Sequence, residues 1–307
     1  MHFCKTPLSG IFILLLSSMT LQAETLQYQA HYKGVFSLFE RLSIADVVLQ
    51  TKPVSPAANN NLQKISLSVS SEAHPTVESL YPFRYTFDSY YSDVSGQTLA
   101  FEHLKSSSKK GKKHYVGFVE GDNGDAQLFR AKAHKPLVSG DLLADFLRHG
   151  LRSQQIQALD LSTKSPALKQ LKGILVDRLT LLSRIRHQVK AGIEQTDYRV
   201  TNGDKLMKYR VTLKSREQLD LGADGTTSAQ KIKIEAWQER KQADFDHEDI
   251  LQVNASTTRD YLHAPVYAWF SVDDRAIPLK FVNKHAVGEF VITIKNDDLL
   301  QQASSNY

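Results

Sequence analysis

The chain has 307 residues, with 38 basic and 33 acidic side chains, a formal net charge of +5 and a single cysteine. One cysteine excludes a small fold held together by disulfides, so stability must come from an apolar core, which a chain of this length can bury. The mild positive charge does not fit a dedicated nucleic-acid binder, whose basic residues would be denser.

Residues 1–23 have the layout of a cleavable secretory signal. Lys5 gives a positive start, the apolar run Ile11–Leu16 follows, and a small residue, Ala23, precedes the first polar positions. The apolar run is too short for a membrane-spanning helix, which needs about 20 residues. We expect export to the periplasm of a Gram-negative bacterium, cleavage near Ala23, no later transmembrane segment and a single β-rich domain over 24–307.

The N-terminal third alternates apolar and polar residues with period two, which is typical of strands with one buried face. Thr51–Asn61 interrupts this pattern with proline and asparagine and predicts a loop. The predicted strands, in chain order, are Leu26–Tyr32, Leu42–Leu49, Ile65–Val69, Tyr81–Phe87, Leu99–Leu104, His114–Val119 and Leu128–Ala131.

The middle of the chain changes to helical spacing. Asp141–Leu151 predicts a short amphipathic helix inside a helical insertion at about residues 139–172, where Gln154–Lys164 reads as a polar connector. Asp177–Ala191 is the best helix, and Gly192 is placed to end it. Its apolar residues fall three or four apart: Leu175, Leu179, Leu182, Ile185 and Val189.

The strand pattern returns after this helix. Asn202-Gly203 predicts a hairpin turn between Tyr198–Val200 and Leu206–Leu213. Later predicted strands are Lys231–Trp237, Tyr267–Val272, Ile277–Val282 and Glu289–Lys295. The order of elements predicts a mainly β (α+β) fold, in which a large curved antiparallel sheet or open barrel wraps around one central helix, with a short extra helical segment.

Four segments carry a family resemblance. They are Asp177–Gly192, Lys214–Leu219 followed by Ala229–Ile234, Ala268–Pro278 and Val287–Ile294. In this order they resemble the helix, the glutamate-to-strand run, the tryptophan–aspartate–arginine–proline hairpin and the closing strand of the bacterial exported family catalogued as domain of unknown function 3108. The resemblance implies a β-rich periplasmic fold, and it brings no agreed substrate, cofactor or catalytic residue.

An aromatic ladder is the first candidate site. Tyr81, Phe83, Tyr85 and Phe87 alternate along one predicted strand and place four rings on one face. Such rings suit the wall of a cleft for an acyl chain or a sugar, because they offer large apolar area. The alternative is ordinary sheet core, where aromatic residues are also enriched.

A basic loop is the second candidate. Lys110, Lys112 and Lys113 lie in a predicted hairpin tip together with Lys105, Lys109 and His114. Such a cluster can dock on anionic lipid headgroups or on acidic polysaccharide. A solvated loop is the alternative.

The C-terminal hairpin is the third candidate. Trp269 is proposed for apolar contact, and Asp274, Arg275 and Pro278 belong to a turn that either rims a ligand site or simply closes the hairpin. The acidic stretch Asp244–Asp249 lacks the spacing of a calcium loop and reads as a connection between strands.

The sequence contains no catalytic signature. The histidines show no zinc-ligand spacing, and there is no Gly-x-Ser-x-Gly elbow, so we expect no catalytic residue, metal or other cofactor. The favoured hypothesis is a non-enzymatic periplasmic protein that binds an envelope-derived lipid, glycan or protein partner in a concave sheet. The alternatives are a hydrolase acting on cell-wall or exported polymer and an envelope assembly factor that binds a partner strand at a sheet edge.

Overall fold

The computed structural model describes residues 23–34, 42–54, 62–108, 111–121, 126–132, 141–159, 174–201, 206–221, 225–238, 265–285 and 288–295. Most of the predicted signal, the turn at Asn202-Gly203 and the acidic stretch Asp244–Asp249 lie outside these residues. No described helix has the length and apolar character that crossing a bilayer would require.

Fourteen strands form one sheet within the described ranges. The first seven are β1 (Glu24–Gly34), β2 (Leu42–Pro53), β3 (Leu62–Ser70), β4 (Phe83–Ser92), β5 (Thr98–Ser107), β6 (Gly111–Glu120) and β7 (Gln127–Lys132). The other seven are β8 (Leu175–Asp177), β9 (Gln195–Thr201), β10 (Leu206–Asp220), β11 (Thr226–Gln238), β12 (Val266–Ser271), β13 (Pro278–His285) and β14 (Gly288–Ile294).

Four α-helices accompany the sheet in the described part of the chain. They are α1 (Pro75–Leu80), α2 (Asp141–His149), α3 (Gln154–Gln157) and α4 (Arg178–Ala191), and a 3-10 turn, Gly150–Arg152, joins α2 to α3. Asp177 caps the start of α4, and Gly192 ends it with a φ of 64°, a left-handed conformation that glycine adopts without strain.

The chain starts and ends in the middle of the sheet. The strand order is β7-β6-β5-β4-β3-β2-β1-β14-β13-β12-β11-β10-β9-β8, so the first and last strands are neighbours, with Tyr28 opposite Ile294. Successive hairpins lead outward to both edges, and the segment with α2 and α3 crosses from one edge to the other. The predicted antiparallel sheet is confirmed except for its last pair, because β8 runs parallel to β9.

The curved sheet has an inner face, which contacts α4, and an outer face. Alternate residues of β1 point inward and are almost completely buried: Leu26, Tyr28 and Ala30. At the β7 edge the sheet curls until Leu175 of β8 packs with Phe101 of β5 and Leu128 of β7. The backbone N–H of Asp177 then donates a 2.8 Å hydrogen bond to Thr98, although β7 and β8 themselves do not pair over the described residues.

A second apolar core covers the outer face beneath α2 and α3. The rings of Phe118 on β6 and Phe146 on α2 pack with their centroids 4.9 Å apart, and Ile156 of α3 is fully buried in the same cluster. Helices α2 and α3 therefore cover part of the outer face of the sheet. The expectation of a polar connector from Gln154 onward is wrong at its start, because Ile156 provides enough apolar contact to hold a short helix.

Two further differences concern element boundaries. Leu175 fits the helical spacing of α4 but lies in β8, because the Asp177 side chain accepts hydrogen bonds from the N–H groups of the first helical turn and stops the helix there. Helix α1 falls just ahead of the predicted strand Tyr81–Phe87, and Pro75 occupies its first turn, a position that suits proline.

Candidate functional site

An apolar cavity of about 420 Å³ lies between α4 and the inner face of the sheet. Strands β1, β2, β3, β13 and β14 provide most of its wall, and Leu179 and Leu182 of α4 close the opposite side. Nearly all of the lining is apolar, and its remaining members include Tyr28, Ala30, Ile44, Ala45, Val47, Leu49, Leu67, Val69, Phe83, Phe281, Phe290 and Ile292, with His31 and Arg178 as the polar exceptions.

Small residues opposite the helix leave room for the cavity. Ala30 of β1 and Ala45 of β2 face each other directly in the sheet, and both line the cavity. A pair of alanines fills far less space than the leucines and phenylalanines around it. Protein interiors are usually close-packed, so a space of this size indicates that α4 and the sheet do not pack fully against each other here.

Hydrogen bonds attach α4 to the sheet along one side of the helix. At its N-terminus, Thr180 hydrogen-bonds with Ser89 at 2.8 Å and with Thr98 at 2.9 Å. Halfway along, Ser183 donates a 3.1 Å hydrogen bond to the Tyr91 hydroxyl. These contacts follow one side of the helix, so Leu179 and Leu182 are left to face the cavity.

The C-terminal half of α4 is held in a similar way. Arg186 donates two hydrogen bonds to the Glu24 carboxylate, at 2.5 and 3.1 Å, and two more to the carbonyl of Arg275. Gln188 is buried and donates to the carbonyl oxygens of Ile193 and Val211. Helix and sheet are therefore joined at several points around the cavity.

The aromatic ladder runs along the inner face and reaches the cavity. Neighbouring ring centroids are 6.4 Å apart for Tyr81 and Phe83, 5.3 Å for Phe83 and Tyr85, and 6.3 Å for Tyr85 and Phe87. All four side chains are half-buried, and Phe83 lines the cavity. Phe83 therefore borders the cavity, and a binding role for the whole ladder stays a prediction.

The ladder continues onto β5 through His103. Its ring lies 5.0 Å from Phe87 and 5.1 Å from Phe101. Its pKa is lowered to about 3, first by burial and then by three nearby cations, Lys105, Arg130 and Arg178. Three cations therefore lie near this part of the inner face.

The basic hairpin is divided between the two faces. Lys110 lies outside the described residues, while Lys112 and Lys113 are exposed on β6. Lys113 is directly opposite Lys105 and shares its face, whereas Lys112 is opposite Ser106 and points the other way. The hairpin packs beside the ladder, because the N–H of Ser108 donates to the carbonyl of Pro82 at 3.2 Å.

Trp269 does not join the ladder. Its neighbours Ala268 and Phe270 pack with α4 on the inner face, so Trp269 points to the outer face. There its indole N–H donates a 2.6 Å hydrogen bond to Glu217, and the Lys231 ammonium lies 5.1 Å from its ring. The Trp269 side chain is only 8% exposed, and its sharing of a binding surface with Tyr81, Phe83 and Tyr85 stays a prediction.

The residues of the hairpin turn after Trp269 make hydrogen bonds to each other and to the rest of the fold. Asp273 pairs with Arg275 at 3.1 Å and accepts a hydrogen bond from the Arg275 N–H, while Asp274 is exposed. The carbonyl of Pro278 accepts a 2.9 Å hydrogen bond from the buried Tyr28 hydroxyl. The turn thus anchors both β1 and α4, and it does not border the cavity.

Sequence reasoning missed the residue that brings charge to the cavity, Arg178. It occupies the first position of α4, where the positive end of the helix dipole disfavours a cation. An arginine at this unfavourable position is the feature of the sequence that could have pointed to a binding role for Arg178. In the described ranges, no group of three or more histidine, cysteine, aspartate or glutamate residues is arranged to hold a metal ion.

No family model matches the chain, and no curated protein does. Among solved structures, the chain is similar to the beta-barrel-like protein of domain of unknown function 1849 from Brucella abortus, with 10% identity and a TM-score of 0.49 over 88% of this chain and 95% of that one. This chain is a β-rich domain by its own architecture. The resemblance to domain of unknown function 3108 stays a prediction.

Proposed function

We propose that this protein is an exported, non-enzymatic carrier or sensor that holds the apolar chain of an envelope-derived lipid between α4 and the inner face of the sheet. The observation that carries the proposal is the apolar cavity of about 420 Å³. Its volume falls within the range of about 300–1,000 Å³ that is common for small-molecule sites. Membership of the exported family with domain of unknown function 3108 and residence in the periplasm belong to the same proposal.

The chemistry of the lining favours a lipid over a glycan. A sugar would bring several hydroxyl groups into a space walled by Val47, Leu49, Leu67 and similar side chains, and those hydroxyls would lack hydrogen-bond partners. An acyl chain has no such cost. It gains roughly 0.8 kcal/mol for each methylene that it removes from water.

The aromatic ladder extends this apolar surface toward the basic hairpin. Tyr81, Phe83 and Tyr85 would contact the part of the lipid that leaves the cavity, and Lys110, Lys112 and Lys113 would bring the protein to anionic envelope surfaces. Leu80, which is 76% exposed, lies two residues before Pro82, whose carbonyl accepts the hydrogen bond from Ser108 of the hairpin. The partner that these lysines would contact is the surface of a membrane or an anionic envelope glycan, whereas the ligand in the cavity is the lipid chain.

The two alternatives have weaker support. For the hydrolase hypothesis, the described residues include no group of histidine, cysteine, aspartate or glutamate residues arranged to hold a catalytic metal ion. The assembly hypothesis needs an edge strand suited to pairing, and β7 at one edge carries Arg130 and Lys132, charges that natural proteins use to discourage such pairing. At the other edge β8 is only three residues long.

The test is to fill the cavity. Val69 lines it and is partly exposed, so Val69→Trp should occupy the space without creating a new buried void. We expect this variant to lose the fluorescence enhancement of the neutral apolar probe N-phenylnaphthylamine and to lose lipid that co-purifies with the periplasmic protein in native mass spectrometry. Val94→Trp, at a site that is 78% exposed and outside the cavity, is the control. Equal probe binding by both variants would refute the proposal.

A further inference from the structure

Several cations border the inner face beside the cavity and the ladder, and we call four of them the inner basic cluster. They are Lys105, Lys113, Arg130 and Arg178. Lys105 and Lys113 face each other directly across β5 and β6, and Arg178 lines the cavity itself. Like charges in directly opposite positions of a sheet repel each other, so Lys105 and Lys113 destabilise each other.

Aromatic rings hold two members of the cluster in place. The Arg130 guanidinium lies 4.0 Å from the centroid of Tyr115, and the Lys105 ammonium lies 5.4 Å from the centroid of Phe87. Both rings belong to the inner face: Tyr115 is opposite His103, and His103 is opposite Phe87. These cation–π contacts orient the two side chains on the inner face.

Arg178 is the member closest to the cavity. Its side chain is exposed, and it makes no ion pair with any residue that the structure describes. The N–H groups of Leu179 and Thr180 at the start of α4 are already bound by the Asp177 carboxylate. The Arg178 guanidinium is therefore the group at this point that would attract the anionic head of a ligand.

Nearby His103 lies close to the same cations. Burial and the charges of Lys105, Arg130 and Arg178 keep this imidazole neutral by lowering its pKa to about 3. A neutral histidine is able to remain between the cations and Phe87, where a charged one would be repelled.

We propose that the ligand is an amphiphile with an anionic head group, a carboxylate or a phosphate, which binds to Arg178 and the inner basic cluster while its apolar chain enters the cavity. The inference rests on the proposed function, because it places the chain of the same ligand in the same cavity. It adds the chemical class of the head group and the residues that select it. Charge-assisted hydrogen bonds to the guanidinium would supply the selectivity.

The experiment compares two fluorescent probes that differ only in the head group, dansylaminoundecanoic acid and its methyl ester. Each is titrated into the full chain and into two variants with the same change in net charge, Arg178→Gln and Arg152→Gln. Arg152 is exposed in the 3-10 turn between α2 and α3 and does not line the cavity, so it is a matched control.

We expect the original chain and Arg152→Gln to bind the acid at least about tenfold more tightly than the ester at low salt, which is the scale of a hydrogen bond to a charged group. Arg178→Gln should lose most of this preference and bind the ester as before. If the acid and the ester bind equally to the original chain, or if both variants keep the preference, the head-group inference fails while the proposed function stands. If neither probe binds, both fail.

Discussion

The hydroxyl oxygens of Ser89 on β4 and Thr180 on α4 lie 2.8 Å apart, and both side chains are completely buried. Thr180 also accepts a hydrogen bond from Thr98 at 2.9 Å. These contacts fasten the start of α4 to the inner face, so they hold one wall of the cavity in place.

Replacing Ser89 with alanine should therefore destabilise the fold. The change leaves the buried Thr180 hydroxyl with one partner fewer, and we expect the free energy of unfolding to fall by about 1–3 kcal/mol. Urea unfolding followed by circular dichroism measures the loss. Thr86→Ala, on the exposed side of the same strand, is the control. Equal losses in the two variants would show that the hydroxyl contact contributes nothing.

Asp177 should make stability depend on pH. Its carboxylate caps α4 by accepting hydrogen bonds from the N–H groups of Leu179 and Thr180, yet burial raises its pKa to about 6. The contribution of this group to stability is complete below pH about 4, where the unfolded state is also protonated, and it is lost as pH rises through about 6. Asp177→Asn keeps a capping oxygen and removes the titration.

We expect the stability difference between Asp177→Asn and the original chain to move in favour of the variant by about 3 kcal/mol between pH 4 and pH 8, since one pKa unit corresponds to about 1.4 kcal/mol. Urea unfolding of both proteins across this range measures it. The two proteins must be compared at each pH because His103 also contributes to the pH dependence of both. Its lowered pKa makes stability rise with pH over part of the same range, whereas Asp177 makes it fall. A difference that does not change with pH would contradict the assignment.

Arg186 and Arg210 offer a comparison of two arginine pairs. Arg186 is largely buried and binds both Glu24 and the carbonyl of Arg275, whereas Arg210 pairs with Asp197 at the surface. We expect Arg186→Ala to lower the free energy of unfolding by about 1–3 kcal/mol because it strands buried acceptors. Arg210→Ala should cost less than about 1 kcal/mol. Chemical denaturation that ranks the two in the opposite order would overturn this reading.

The basic hairpin should govern attraction to anionic membranes. Lysines near such a surface contribute roughly 1 kcal/mol each, so replacing Lys110, Lys112 and Lys113 with serine should lower partitioning onto phosphatidylglycerol vesicles by roughly two orders of magnitude and flatten its salt dependence. Vesicle sedimentation at several salt concentrations measures this. Serine at the exposed Lys52, Lys190 and Lys284 gives a control with the same change in charge. Matching retention by both triple variants would remove the hairpin from the proposal.

Local patterns in the sequence were enough to predict most of the fold. Alternation placed β1, with Leu26 and Tyr28 buried, and helical spacing between Asp177 and Gly192 placed α4, because period and capping are properties of neighbouring residues. The parallel pairing of β8 with β9 was beyond such reasoning. It depends on a chain crossover that no local pattern encodes.

The aromatic ladder was visible in the sequence, but its meaning was not. Tyr81, Phe83, Tyr85 and Phe87 would read the same in a closed core, and only the arrangement of distant strands shows that Phe83 borders a cavity. Trp269 has an equally suggestive sequence context and points to the opposite face, because a single step along a strand reverses the direction of a side chain.

The sequence by itself determined the class of fold, the central helix and the presence of aromatic and basic residues available for binding. The tertiary structure decided which of them meet: Ala30 and Ala45 open a space beneath α4, and Arg178 reaches that space from a helix terminus. The physical reason is that a cavity and a cluster of charges are made by residues far apart in the chain. Their distances depend on how the whole sheet curls, whereas strand and helix periods are set by adjacent residues.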